Sequence, residues 1–232
     1  MTRGIPDDTS LGNSGLTYPA AVSIQTHLRE RLILVPPTGP IRIVAGADVA
    51  FPSDDTAVAG IVAFTWPDLD LIDIAVASME VTFPYIPGLL SFREVPVISK
   101  AFRRLSVRPD VLFCDGQGIA HPRGIGFACH VGIVLDVATI GCAKSRLVGE
   151  AEDPAPERGS STPLTYKGQL VGRLVRTRDR VKPLYISPGH RMDIPTAVDM
   201  VLAACRSYRL PEPTRQADIL VAKAKKLLPA VV

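Results

Sequence analysis

Three carboxylates stand where their surroundings give an acid no easy place. Asp48 lies inside "VAGADVAF", an apolar stretch in which an ionised side chain is costly unless it is paired, hydrogen-bonded or bound to a metal. Asp115 closes the apolar run "DVLFC" and opens "DGQG", where a side chain projects past the end of a strand, although Asp-Gly is also a frequent turn. Glu94 follows "PYIPGLLSFR" and is either a third member of this set or a first-turn helix carboxylate favoured by the helix dipole. Sets of carboxylates bind hard divalent cations such as Mg²⁺, which keep coordination positions for phosphate and water. The chemistry in view is metal-assisted hydrolysis of a phosphodiester. Lys144, in "GCAKSRL", either offsets charge on a phosphate or is a solvated lysine at a strand end. His121, in the Gly-rich "GIAHPRGIG", stands either beside a ligand or as a plain loop histidine. His130 and His190 show no metal-ligand spacing, which argues against zinc. The chain contains neither G-x-x-x-x-G-K-[ST] nor G-x-S-x-G, which argues against a P-loop or an α/β-hydrolase.

The elements that must position these groups follow from hydrophobic period. Val22, Ile24, Leu28 and Leu32 recur at near-helical spacing and predict a first helix between Tyr18 and Leu34. Residues 41–51, 57–66 and 71–83 are β-branched and apolar, with short turns between them. Links so short force antiparallel pairing, because a parallel pair needs a crossover of roughly a dozen residues. The order then changes. A helical pattern over 90–105 leads to a short buried strand at 110–116, then an apolar helix near 126–135 and a strand "TIGCAKS". "GEAEDPAPERGSSTP" reads as an exposed loop. A hairpin is expected over 165–186, a helix opening with Asp193-x-Pro195, and a last helix after "LPEPT". Three antiparallel strands followed by strand-helix alternation predict a mixed α/β sheet flanked by helices, the ribonuclease H-like pattern. Residues 1–16 read as a flexible tail and 17–232 as a single domain.

Composition bounds the rest. With 232 residues, 47% of them hydrophobic, the chain can bury a proper core, and a net charge of +3 neither demands nor excludes a polyanion. Cations cluster at Arg93, Lys100, Arg103, Arg104 and Arg108, at Arg173, Arg176, Arg178, Arg180 and Lys182, and at Arg215, Lys223, Lys225 and Lys226. Each cluster either lines a phosphate-binding face or is an ordinary solvated surface. Cys114, Cys129, Cys142 and Cys205 form no C-x-x-C pair and read as reduced, buried thiols. No apolar run reaches the roughly 18 residues of a membrane span, and the opening residues hold no signal-peptide core. A cytoplasmic protein with no membrane partner is expected.

"PYIPGLLSFRE" adds a rigid feature: Pro84 and Pro87 pre-set the backbone around Tyr85 and Ile86, and Gly88 permits a sharp turn. It is either a stiff connector or a wedge that presents an aromatic ring to a partner. Together with "GADVAF", "PDVLFCDGQGIAHPRGIGFACHVG", "AKSRLVG", "PLYISPGHR" and "YRLPEPTRQAD", it occurs in the order and approximate spacing of endonuclease V. The chain thus resembles that family from about residue 41 to 218. The resemblance implies a ribonuclease H-like fold and a DNA repair endonuclease that recognises deoxyinosine. Such an enzyme cuts the second phosphodiester bond on the 3′ side with Mg²⁺ or Mn²⁺ and leaves 3′-hydroxyl and 5′-phosphate ends. It makes Asp48 and Asp115 the principal metal ligands, Glu94 the third acidic member and Lys144 the catalytic-site lysine. Asp218 falls where family members carry histidine or aspartate, as a direct ligand or a water-positioning group. Residues Pro84, Tyr85, Ile86 and Pro87 would be the wedge into the base stack, Gly88, Leu90 and Gly116 the pocket for the flipped base, and His121 a contact near the scissile strand. Inosine-containing RNA is the alternative substrate, and a non-cleaving inosine-binding module the alternative class. A monomer is expected.

Overall fold

The computed structural model describes residues 15–227, so the tail expected over residues 1–16 lies outside the described residues except at its end. There Leu16 packs against the cluster of Phe83, Leu89 and Phe92.

The three apolar segments form β1 (Ile43–Ser53), β2 (Thr56–Thr65) and β3 (Leu71–Glu80). Both pairs are antiparallel, as the short links require. Helix α2 (Ser91–Phe102) then carries the chain across one face to β4 (Val111–Cys114), parallel to β1. Helix α3 (Phe127–Leu135) repeats the crossover to β5 (Ala138–Ala143), parallel to β4. Helix α1 (Tyr18–Glu30) precedes the sheet, and β6 (Ser161–Tyr166), β7 (Gln169–Val175), β8 (Leu184–Pro188), α4 (Ile194–Ala204) and α5 (Glu212–Leu227) complete the order. All eight strands join one sheet in the order β3-β2-β1-β4-β5-β8-β7-β6. This is the mixed, ribonuclease H-like architecture.

The period-2 alternation of β1 sorts its residues between the faces. Ala45 and Ala47 pack with Val95, Ile98 and Phe102 of α2 and with Val131 and Leu135 of α3. Val44 points the other way and shares a core with Val62, Phe113, Val201 of α4 and Ala217 of α5. Gly46 and Asp48 lie on that second face. A Cβ at Gly46 would overlap the main-chain carbonyl of Pro213. The absence of a side chain there is what lets the start of α5 rest directly on β1.

Some boundaries differ from expectation. Helix α1 ends at Glu30, short of Leu34. The segment 165–186 is not a lone hairpin: β7 pairs with β6, while β8 returns to pair antiparallel with both β7 and β5. Strand β6 begins at Ser161, inside the stretch that reads as loop. Its Pro163 is tolerated because β6 is an edge strand, where a missing N–H breaks no ladder. The capping signal at Asp193 is as read, its side chain accepting from the Thr196 N–H at 2.9 Å. The four cysteines are free and buried.

Many of the clustered cations are engaged with main-chain carbonyls and so do not form open phosphate tracks. The buried Arg93 donates to Phe83 O and Asp54 O, Lys100 to Ser78 O and Arg104 to Val76 O. Arg108 donates to the carbonyls of Leu135 and Asp136, and the buried Arg176 to those of Pro154, Ala155 and Val181. Arg215 pairs with Glu212 at 2.5 Å.

Candidate active site

Parallel pairing brings the first two acids together. Ala47 stands opposite Cys114, and the next residue of each strand is Asp48 and Asp115. Asp115 follows the carboxyl end of β4, whereas Asp48 stands midway along β1, where its parallel pairing with β4 stops; both project to the face that α5 covers, the site position usual at the carboxyl end of a parallel strand. Asp218 enters from α5. Ligand oxygens of Asp48, Asp115 and Asp218 all lie within 4.8 Å of one another. The third member of this compact set is therefore Asp218. Glu94, on the first turn of α2, approaches closely enough for the charges of Asp48 and Asp115 to act on it.

The electrostatics are those of an anionic cluster with too little positive charge. Burial pushes the Asp48 carboxyl up to about 7, with the Asp115 carboxylate adding to it; the Val49 N–H and Lys144 oppose the rise. Burial likewise pushes Glu94 up to about 8, with Asp48 and Asp115 adding. Lys144 follows β5, the next parallel strand, and its Nζ lies 2.5 Å from Asp115 Oδ2 and 3.9 Å from Asp218 Oδ1. Partial burial pulls the ammonium pKa down, but the hydrogen bond and charge of Asp115, then Asp218 and Asp48, outweigh it and hold it above its ordinary value. Three carboxylates within bonding reach of one point, with acids forced towards protonation beside them, suit a hard divalent cation. Asp48, Asp115 and Asp218 are the residues that can hold it.

A cleft of about 420 Å³ opens beside this cluster, lined by Tyr85, Gly88, Leu90, Glu94, Asp115, Gly116, His121 and Lys144 among others. At its lip the "IPGL" segment forms a tight turn. The Leu89 N–H donates to Ile86 O at 2.9 Å, Pro87 takes the second position and Gly88, at φ +78°, the third. This is the pattern of a type II turn, which requires a residue that accepts positive φ. Tyr85 projects outward and is 68% exposed, whereas Ile86 turns inward against Phe83, Leu89 and Phe92. Of the four expected wedge residues, Tyr85 presents the ring and Ile86 anchors the loop.

His121 is 4% exposed, and both ring nitrogens have partners within the chain. Nδ1 accepts from the Arg123 N–H at 3.3 Å, and Nε2 meets Gly88 O at 3.1 Å. Burial, then the charge of Arg123, lowers its pKa to about 4, so the ring is neutral. In this arrangement neither nitrogen is open to a phosphate. Sequence reasoning missed Gln117 and Arg209. Gln117 donates to Ser145 O at 2.9 Å and ties the loop after β4 to the loop after β5; its place between the glycines of "DGQG" was a usable signal. Arg209 donates to Lys144 O at 3.0 Å and Pro183 O at 2.8 Å, a bracing that no local pattern announces.

The sheet order, the crossovers and the acidic cluster gathered from the middle of β1, the end of β4 and α5 define an α/β protein of ribonuclease H-like architecture. The chain belongs to the Endonuclease V family, whose model matches residues 26–219. It is 48% identical over 206 residues to Endonuclease V of Nostoc punctiforme, across 88% of this chain and 93% of that protein. The crystal structure of Endonuclease V from Streptomyces avermitilis is similar with a TM-score of 0.87 and 42% identity, across 92% of this chain and 96% of that one. Endonuclease V of Ciona intestinalis, solved with a 24mer DNA containing an inosine followed by a ribo-adenosine, is similar with a TM-score of 0.77 and 25% identity, across 88% and 96% of the two chains. Among the described residues no helix is long and apolar enough to cross a membrane.

Proposed function

We propose that this protein is a divalent-metal-dependent endonuclease that recognises deoxyinosine and hydrolyses the second phosphodiester bond on its 3′ side, leaving 3′-hydroxyl and 5′-phosphate ends. The observation that carries the reading is the three-carboxylate cluster, whose member Asp115 lines a cleft together with Glu94, Lys144 and an exposed tyrosine at its lip. The Ciona relative bound to inosine-containing DNA supports the substrate class.

In this reading Asp48, Asp115 and Asp218 hold Mg²⁺, or Mn²⁺ in its place. The bound cation supplies an activated water and charge for the phosphoryl oxygens. Lys144, held by Asp115, keeps Asp115 aimed and presents its ammonium to the phosphate. Burial and the charges of Asp48 and Asp115 favour the protonated form of Glu94, and a cation held by the cluster would favour its carboxylate. Gly88, Leu90 and Gly116 form the part of the wall available to a flipped base. Tyr85 fills the gap the base leaves. Unstacking a base costs a few kcal/mol, and a turn fixed in advance by Pro87 and Gly88 loses little entropy on insertion.

End-labelled oligonucleotides matched in sequence, carrying one deoxyinosine, one riboinosine or neither, test the reading with Mg²⁺ and with a chelator. The expected result is a metal-dependent nick one nucleotide beyond deoxyinosine. Inosine-specific binding without cutting of any strand would replace it with a silent binding module. The ribo-adenosine in the Ciona complex favours one second reading, cleavage of inosine-containing RNA, and a preference for riboinosine would establish it.

Tyr85→Ala is expected to weaken binding of the inosine strand by about 1 to 3 kcal/mol through lost stacking, with the fold intact because the ring makes an exposed lip. Fluorescence anisotropy measures this, and unchanged affinity would return Tyr85 to an ordinary surface residue.

A further inference from the structure

Helix α1 carries none of the carboxylates, and Gln25 lies just outside the residues matched by the family model. Gln25 is nevertheless 1% exposed, which for an amide demands partners. Its Nε2 donates to Gly88 O at 3.0 Å, and its Oε1 accepts from Arg123 Nε at 2.5 Å. Arg123 in turn donates from Nη2 to the same Gly88 oxygen at 2.6 Å, closing a ring of hydrogen bonds. His121 completes the set. Its Nδ1 accepts from the Arg123 N–H, so the ring proton sits on Nε2 and points at Gly88 O, 3.1 Å away.

Three donors thus converge on one main-chain carbonyl that offers two lone pairs, more than any ordinary turn needs. That carbonyl belongs to the positive-φ residue on which the wedge turns and which lines the cleft. The apolar contacts of α1 support both sides of the clamp. Ala21 packs with Phe83, Leu89 and Ile86 under the wedge, and Leu28 packs with Ile125 beyond the loop that carries His121 and Arg123.

We infer that Gln25 is a positioning residue for lesion recognition: from α1 it fixes the Gly88 peptide, and with it the pocket wall and the wedge, in the geometry that a flipped inosine requires. The inference rests on the reading of the cleft as an inosine site. The hydrogen bonds of Gln25 run to Gly88 and Arg123 and to none of the carboxylates, so its effect is expected on recognition and not on the hydrolytic step. A residue that merely held the fold together would weaken all substrates alike.

The test compares wild type, Gln25→Met and Gln25→Glu by anisotropy with fluorescent single strands carrying one deoxyinosine or a matched deoxyadenosine, and by steady-state cleavage in Mg²⁺. Gln25→Met keeps the volume and removes both hydrogen bonds; Gln25→Glu keeps an acceptor for Arg123 and removes the donor to Gly88. Both are expected to lose roughly three- to tenfold of the preference for the inosine strand, the range for loss of one or two buried hydrogen bonds. KM should rise with kcat nearly unchanged, and affinity for the deoxyadenosine strand should stay within about twofold of wild type, well inside that loss. A folded variant that keeps the full preference overturns the inference, as does an equal loss for both strands. If Gln25→Met does not fold, Gln25→Glu decides. A wild-type protein without any inosine preference would overturn the reading of the cleft and the inference with it, whereas retained preference in the variants would leave the cleft reading intact.

Discussion

Asp48→Asn is expected to abolish strand cleavage and, in the same protein, to raise the thermal stability of the cation-free form. The first effect follows from the loss of a carboxylate from the cluster of Asp48, Asp115 and Asp218. Outer-shell partners of metals contribute about 10- to 100-fold to affinity or activity, and a ligand is expected to contribute more than that. The second effect follows from the anionic strain of the site. Burial and Asp115 move the Asp48 carboxyl from 3.8 to about 7. When ionised it therefore costs the folded state on the order of 2 to 4 kcal/mol. An isosteric amide removes that cost and is expected to raise the melting temperature of the cation-free protein at pH 8 by at least about 5 °C.

The sign can be checked against pH. Asp48 and Glu94 have folded pKa values raised to about 7 and about 8, so the folded state holds protons that the unfolded chain releases, and stability falls as pH rises from about 4 through those values. His121, His130 and His190 are depressed, mainly by burial, to about 4, about 3 and about 4 and act the other way, adding stability as pH rises towards their ordinary 6.5. The two trends oppose each other below about 6.5. Above it the carboxyls dominate, with the buried cysteines adding in the same direction as the exposed thiols of the unfolded chain begin to ionise, and the chelated protein is expected to lose stability between about pH 6.5 and 8. Mg²⁺ should flatten that decline in wild type, and Asp48→Asn should show less of it. Differential scanning fluorimetry across pH resolves all three curves. A variant that keeps Mg²⁺-dependent cleavage, or that melts below wild type at pH 8 under chelation, would show that Asp48 is not a strained ligand.

Gly46→Ala is expected to be the most damaging single-methyl change in the sheet. Its Cβ would meet main-chain atoms of Pro213 and Thr214, which cannot swing aside as a side chain can. Overpacking typically costs about 1 to 3 kcal/mol, and a backbone overlap belongs at or above the upper end of that range. Relief requires the start of α5 to move off β1, and Asp218 moves with it. Stability and cleavage should therefore fall together. Gly60→Ala is the control. A Cβ there meets Val221 Cγ1 at 2.8 Å and the Leu220 side chain at 3.1 Å, atoms at the ends of side chains that can adjust. Urea unfolding should place Gly46→Ala well below Gly60→Ala, with the greater loss of cleavage in the former. Equal stability of the two variants would mean that α5 is not seated on β1 by the missing side chain.

The sequence alone determined the features that depend on near neighbours. Period-2 runs and links too short for a crossover settled the antiparallel β1–β2–β3 meander, and the longer intervals with helical period settled the parallel additions β4 and β5. Asp48 was conspicuous because an acid inside an apolar strand has to be compensated, whatever the fold. Asp115 and Lys144 were legible for a related reason: each directly follows an apolar run, and side chains just past strand ends gather at one edge of a parallel sheet. The Pro87-Gly88 turn was written in two residues whose dihedral preferences nearly specify it.

Tertiary structure decided what depends on groups distant in the chain. The motif "YRLPEPTRQAD" marked Asp218 but left its role open; whether it or Glu94 completes the tight cluster turned on how closely α5 approaches β1, where Gly46 leaves room for Pro213. Period alone could not separate Tyr85, which faces solvent, from Ile86, which is drawn under the loop by Phe83, Leu89 and Phe92. Several of the arginines and lysines that read as basic clusters, Arg93, Lys100, Arg104 and Arg176 among them, donate to main-chain carbonyls that only the fold brings near them. Gln25 carried no signal at all in its own helix. Its role arises only where α1, the wedge turn and the His121–Arg123 loop meet around one oxygen atom.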